Sequence, residues 1–232
     1  MIIIPYKRDS AQRKYNLQGL LNMIKVYGFD CEVIETTEDP FHKTKLINDG
    51  IKKHINDTFT VVWDCDCRIS KEQFLDCTKA MLYDNNICLG YPFKKFLGVD
   101  KLNWDKTYEV IDKNVHKKVD MSPTQQSYGG VCIMRNSIYK DIMENEKFMG
   151  WCPEDMARAM VVEKLGYSII SEMERPLYHI EHPRPYDQGR DFEFKAGWTE
   201  LQKMYKMTQE ELKSYVKRGY QDELLGDRKS VV

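Results

Sequence analysis

The most constraining feature of this 232-residue chain is the alternation in its first 63 positions. Met1 to Pro5 is a short β-branched run stopped by proline, which reads as a strand. Arg13 to Tyr27 places Leu17, Leu20, Leu21, Ile24 and Val26 near helical spacing, and Gly28 closes the segment. Cys31 to Ile34 reads as a second strand, Lys43 to Ile55 as a second helix, and Phe59 to Trp63 as a third strand. A β-α-β-α-β order demands a largely parallel sheet covered by helices, because parallel neighbours need crossover connections. In such sheets ligands gather at the carboxyl ends of the strands.

Further along, Lys71 to Leu82 reads as a helix and Cys88 to Tyr91 as a strand. The polar stretch from Phe93 to Ser127 lacks clear periodicity and is expected to hold loops and a hairpin. Gly129-Gly130 forms a turn feeding a strand through Met134. Ile138 to Glu144 and Pro153 to Leu165 read as helices, and Tyr167 to Ile170 as a strand. Thr208 to Gly219 opens with Thr-Gln-Glu-Glu, a capping-box form. The segment Pro183 to Val232 is aromatic and charged. It suits a lid or acceptor surface, or equally a surface wrap with a final helix. There is no internal repeat and no linker rich in Pro, Gly or Ser.

Composition narrows the function. Thirty-five basic and 36 acidic residues leave a net charge of −1, so no global field favours nucleic acid or an anionic membrane. The opening Met-Ile-Ile-Ile-Pro is too short for a leader, and no run of ~18 apolar residues follows to give a transmembrane segment. Seven cysteines, an odd number, fit reduced thiols better than a disulfide scaffold. The expectation is a soluble, cytoplasmic protein.

Three clusters carry chemistry. Asp64-Cys65-Asp66-Cys67 follows the third strand directly. In an extended segment residues i and i+2 face the same way, so Asp64 and Asp66 would present two carboxylates to one divalent cation. A solvated strand end is the plainer alternative. Cys65 and Cys67 would then point the other way and serve as small buried side chains, a Cys/His zinc site being the other option. In Pro-Leu-Tyr-His-Ile-Glu-His, His179 and His182 are three apart and can share one metal if the segment turns, or remain exposed loop histidines. With an acid they make an oxygen and nitrogen donor set that tolerates Mn2+. In Gly-Trp-Cys-Pro-Glu-Asp-Met, Glu154 and Asp155 sit at a helix start where the dipole favours negative charge. They read as a helix cap, or as a general base beside the tryptophan platform of Trp151.

These clusters, in this order, resemble the β-1,4-galactosyltransferase family and its bacterial chondroitin-polymerase-like relatives. Ile-Ile-Ile-Pro-Tyr-Lys-Arg is similar to the family's opening strand and nucleotide-binding turn. Phe41 to Gly50 resembles Phe-Asn-Arg-Ala-Lys-Leu-Leu-Asn-Val-Gly, and Asp64-Cys65-Asp66 stands where the family has Asp-Val-Asp. Tyr128 to Tyr139 resembles its Phe-Gly-Gly-Val-Ser strand, Gly150 to Met156 its Gly-Trp-Gly-Gly-Glu-Asp-Asp, and His179 to His182 its histidine segment. The likeness spans about Met1 to His182.

The resemblance implies a GT-A nucleotide-diphospho-sugar transferase fold, an α/β, Rossmann-like, mostly parallel sheet with helices on both faces. It implies one domain over 1–232, with a nucleotide-binding part (1–100), an acceptor part (101–190) and a C-terminal extension (191–232). It implies an inverting, Mn2+-dependent transfer (Mg2+ as the alternative ion) of a hexose or N-acetylhexosamine, galactose-type favoured, from a UDP-sugar to a glycan or glycolipid hydroxyl. Asp66, His179 and His182 would hold the metal. Asp64, Gly129, Gly130, Pro5, Tyr6, Arg8, Phe41 and Lys43 would bind the donor. Asp155 would be the base, with Glu154 catalytic and, like Trp151, acceptor-binding. The chain departs from the family at Cys152-Pro153, where the family has Gly-Gly, and at Lys43, where the family arginine offers a bidentate fork. Two other classes remain open: a metal-dependent nucleotidyltransferase or phosphoesterase, and a non-catalytic nucleotide- or carbohydrate-binding module.

Overall fold

The computed structural model describes residues 1–99, 129–171, 175–180 and 191–222, and the backbone of 115–120. The first five elements come in the anticipated alternation: β1 (Ile2–Lys7), α1 (Ala11–Tyr27), β2 (Cys31–Thr36), α2 (Lys43–Lys53) and β3 (Phe59–Trp63); after a turn comes the unanticipated β4 (Cys67–Arg68). Then follow α3 (Lys71–Tyr83), β5 (Ile87–Tyr91), β6 (Lys95–Val99), β7 (Val115–Asp120), β8 (Val131–Arg135) and the four-residue α4 (Asn136–Tyr139). The chain continues with α5 (Glu154–Lys164), β9 (Ser168–Ser171), β10 (Pro176–Ile180), α6 (Asp191–Lys206) and α7 (Gln209–Lys217).

Six strands form the main sheet in the order β2-β1-β3-β8-β5-β9. Only β8 runs against its neighbours; β1, β2, β3, β5 and β9 share one direction. Every residue of β5 and β8 is buried, as is nearly all of β1 and β3. Successive strand residues point to opposite faces, so uninterrupted burial means that both faces are covered. This is the expected α/β class. A second sheet, β4-β10-β6-β7, is built mainly of antiparallel pairs, with β10 and β6 parallel. The β6–β7 pair is the hairpin anticipated after Phe93.

Local chemistry explains the boundaries. Ser10 accepts the Arg13 N–H and starts α1. Ser70 with Gln73, and Thr208 with Glu211, form capping boxes for α3 and α7. Strand β1 runs through Pro5 rather than stopping there. Only Ile2 and Ile3 pair with β3, so the missing proline N–H breaks no ladder on that side. The helix expected over 138–144 is a single turn. Met143 takes φ 57°, and the Glu144 carboxylate is claimed by Tyr139 Oη at 2.7 Å and Arg158 Nε at 2.6 Å. That buried polar network outcompetes helix continuation.

Helix α6 was not anticipated as a helix. Its buried positions are Glu193, Gly197, Leu201 and Met204; a charged residue and a glycine occupy half of the inward stripe and hide the 3.6-residue pattern. Among the described residues no helix is long and apolar enough to cross a membrane.

One turn joins the two sheets. Asp64 C=O accepts the Cys67 N–H at 3.1 Å, closing residues 64–67 between β3 and β4. The buried Trp63 indole donates from Nε1 to the Cys67 carbonyl at 3.0 Å and locks the same turn from inside. Trp63→Phe keeps most of the apolar volume but strands that carbonyl. The expected cost is ~1–3 kcal/mol in urea unfolding; an unchanged midpoint would show that the indole bond does not hold the turn.

Candidate active site

The carboxyl-end edge of the main sheet collects the charged residues. Asp64 follows the last residue of β3, and Gly130 immediately precedes β8, whose Val131 pairs with Trp63. Because β8 is antiparallel to β3, its start and the end of β3 share an edge. Asp64 N–H donates to the Gly130 carbonyl at 2.7 Å, and Gly130 N–H returns a 3.3 Å bond to Asp64 Oδ2. Gly130 has φ +96°, and a Cβ there would lie 2.8 Å from Leu177 Cδ1 and 3.0 Å from Cys67 Sγ. Glycine is required on both counts.

Lys43 is the first residue of α2. A cation is unfavourable at a helix N-terminus, yet its ammonium lies 2.9 Å from Asp64 Oδ2, 3.6 Å from Glu154 Oε1 and 3.8 Å from Asp155 Oδ1. Burial works against the charge, but Asp155, Asp64 and Glu154 together raise the lysine pKa well above its ordinary value. Glu154 and Asp155 occupy the first turn of α5. Arg158, one turn on, gives Nη1 to Asp155 Oδ1 at 2.7 Å and Nε to Glu144. Among the described residues, four carboxylates, Asp64, Glu144, Glu154 and Asp155, thus face two cations, Lys43 and Arg158. The imbalance shows in the titration: burial and the neighbouring Asp155 push Glu154 up to about 7, against the pull of Lys43. Burial likewise raises Asp64, opposed by Lys43 and reinforced by Asp66.

The second group lies where the turn enters the small sheet. Ile180 N–H donates to the Asp66 carbonyl at 3.0 Å, and His179 pairs with Cys67 across the antiparallel β10–β4 ladder. His179 Nε2 stands 3.8 Å from Asp66 Oδ2, and Cys67 Sγ 3.5 Å from Asp66 Oδ1. One donor atom from each of Asp66, Cys67 and His179 falls within 4.8 Å of the others. Carboxylate, thiol and imidazole are all metal-ligating groups. Phe96 lies against the His179 ring at 5.0 Å between centroids.

The expectation that Asp64 and Asp66 share one face of an extended segment is corrected. The segment is a turn, so Asp64 faces Lys43 and Gly130 while Asp66 faces His179. Cys67, expected to point away, joins Asp66 and His179. His182 lies outside the described residues.

The remaining expected residues are distributed as follows. Trp151 lies three residues before Glu154; its backbone N–H donates to the buried Glu193 at 3.3 Å, and its ring stacks on Phe194 of α6 at 5.1 Å. Gly150 N–H donates to the Phe41 carbonyl at 2.9 Å, tying this loop to the start of α2. The Phe41 ring lies 5.7 Å from the Arg13 guanidinium. Gly129 precedes Gly130 at the same edge. Pro5 and Tyr6 are buried in β1, and Arg8 is turned outward to Glu35 at 2.5 Å, so it does not join the charged cluster. Sequence reading overlooked Arg158 and Glu193, and favoured a packing role for Cys67 over the Cys/His metal site it held as the other option. Arg158 was discoverable, since it lies three and four residues beyond the two acids on one helix.

No family model matches the chain, and no curated protein matches it. Among solved structures it is similar to the crystal structure of GalNAc-T7 with UDP, GalNAc and Mn2+, with a TM-score of 0.49 and 11% identity over 78% of this chain. The match takes in 43% of that chain, so the protein spans less than half the length of that structure. A likeness so distant transfers no residue's role.

Glu154 yields a pH-dependent prediction. Its folded pKa, about 7, exceeds the ordinary 4.5, so its neutral form is the one the fold favours. Its stabilising contribution is complete below pH 4.5 and is lost as pH rises through 7. Glu154→Gln should therefore melt at a higher temperature than the parent at pH 8, with the gap closing by pH 5. A gap that is constant with pH would refute the raised pKa.

Proposed function

We propose that the protein is a metal-dependent glycosyltransferase of the GT-A type. It moves a hexose or N-acetylhexosamine, galactose-type favoured, from a UDP-sugar to a glycan or glycolipid hydroxyl. The observation that carries this reading is the adjacency of two groups at one sheet edge: Lys43 with Asp64, Glu154 and Asp155, and Asp66 with His179. Among the described residues the site's carboxylates outnumber its cations, so an anionic diphosphate is repelled by them unless a divalent ion stands between. Asp66 and His179 are the residues that would hold that ion. Their oxygen and nitrogen donors suit Mn2+, and Mg2+ is the alternative. When bound, the ion supplies charge neutralisation to the departing nucleoside diphosphate.

The chain's own groups supply the rest. Lys43 keeps Asp64 and Asp155 in place and brings a positive charge to the donor. Arg158 occupies Asp155 Oδ1, which leaves Oδ2 for the acceptor hydroxyl. Asp155 takes that hydroxyl's proton as its oxygen attacks the anomeric carbon from the face opposite the diphosphate, and configuration inverts. Trp151 offers a ring face to the acceptor sugar, and Glu154 a polar contact beside it. Gly129 and Gly130, at the same sheet edge as Asp64, would line the donor-sugar site with their backbone.

Two substitutions separate chemistry from binding. Asp155→Asn is expected to lower transfer by ~10²–10⁴-fold while Mn2+-dependent UDP binding, read by calorimetry, stays near the parental value. Asp66→Ala is expected to weaken that binding by at least ~10-fold. A UDP affinity indifferent to Asp66, or no UDP affinity in the parent protein, would overturn the reading.

A further inference from the structure

We propose that Cys67 is a direct ligand of the cation held by Asp66 and His179, making a mixed oxygen, sulfur and nitrogen site that prefers Zn2+ or Co2+ to Mg2+. The inference rests on the reading of Asp66 and His179 as cation ligands. It goes beyond that reading in naming a third donor and the class of metal.

Backbone register is the first support. His179 and Cys67 are direct partners in the antiparallel β10–β4 ladder, and directly opposed residues project their side chains to the same face. The Ile180 N–H to Asp66 carbonyl bond fixes the adjoining residue in the same ladder. The three donors are thus brought together by main-chain hydrogen bonds, not by side-chain chance.

Distance is the second. Metal–ligand bonds of ~2.0–2.3 Å place tetrahedral donor atoms roughly 3.3–3.8 Å apart. The sulfur–carboxylate and imidazole–carboxylate separations are 3.5 and 3.8 Å, and all three donors lie within 4.8 Å. Closing on an ion requires a shift of about 1 Å at most.

Charge and access are the third. A carboxylate, a thiolate and a neutral imidazole carry two negative charges, which balance a divalent ion in a half-sealed site. Cys67 is fully buried and forms the floor. The Asp66 and His179 side chains, 14% and 19% exposed, form the mouth. On binding, the thiol proton passes to solvent, a sulfur lone pair forms the metal bond, and nothing is oxidised or reduced. A thiolate favours softer ions over the oxygen-seeking Mg2+.

The test is a titration of the full chain with Co2+ alone, followed by absorbance. A thiolate ligand gives a sulfur-to-cobalt charge-transfer band in the near ultraviolet. The band is expected in the parent and in Cys65→Ser, and absent in Cys67→Ser. Zn2+ affinity should fall by at least ~10-fold in Cys67→Ser, while Mg2+ affinity barely changes. The parental spectrum is decisive even if Cys67→Ser folds poorly. Cobalt bound without the band overturns Cys67 as a ligand and leaves Asp66 and His179 standing. No cobalt bound overturns both.

Discussion

The site is organised around one buried ammonium. Lys43 reaches three carboxylates supplied by two segments distant from it in sequence, the turn after β3 and the first turn of α5. Coulomb attraction in a partly desolvated pocket is far stronger than in water, but each charge has also lost its hydration. The arrangement survives because each member has additional partners: Gly130 N–H for Asp64, Arg158 for Asp155. Electrostatics thereby ties the start of α2, the turn after β3 and the start of α5 together at the sheet edge.

The two acids of the Asp-Cys-Asp motif have separate tasks because the chain turns between them. Asp64 belongs to the main sheet and to Lys43. Asp66 belongs to the second sheet and to His179. The 64–67 turn, fastened by the Trp63 indole, therefore determines how the lysine cluster sits relative to the Asp66–His179–Cys67 group. A small error in that turn would misplace one half of the site against the other without unfolding either sheet.

Much of the fold was legible where apolar periodicity is strong: β1, α1, β2, α2, β3, α3 and the capped α7 all follow from spacing and caps. Legibility failed where tertiary partners override local pattern. The turn at 64–67 contradicts strand alternation because the strand ends at Trp63. Strand β10, only five residues with a proline and a histidine, has no signal beyond its pairing with β4 and β6. Helix α6 hides its inward stripe behind Glu193 and Gly197. In the site, the acids and His179 were visible as residue types at suggestive spacing. Cys67 was discounted because the wrong backbone shape pointed it elsewhere; Arg158 was within reach of the expected 153–165 helix, but its buried partner Glu144 comes from a separate segment and gives no local signal.

The Gly150 loop has a mechanical consequence. A Cβ at Gly150 would collide with the Glu193 carboxylate, Trp151 N–H is bonded to that same carboxylate, and the Trp151, Phe194 and Trp198 rings are stacked in series. Helix α6 and the loop leading to Glu154 are therefore joined through the Glu193 carboxylate and the ring stack. The ring stack runs from the solvent-facing Trp198 to Trp151, three residues before Glu154. Any larger residue at Gly150 would have to displace the Glu193 carboxylate that holds this contact together.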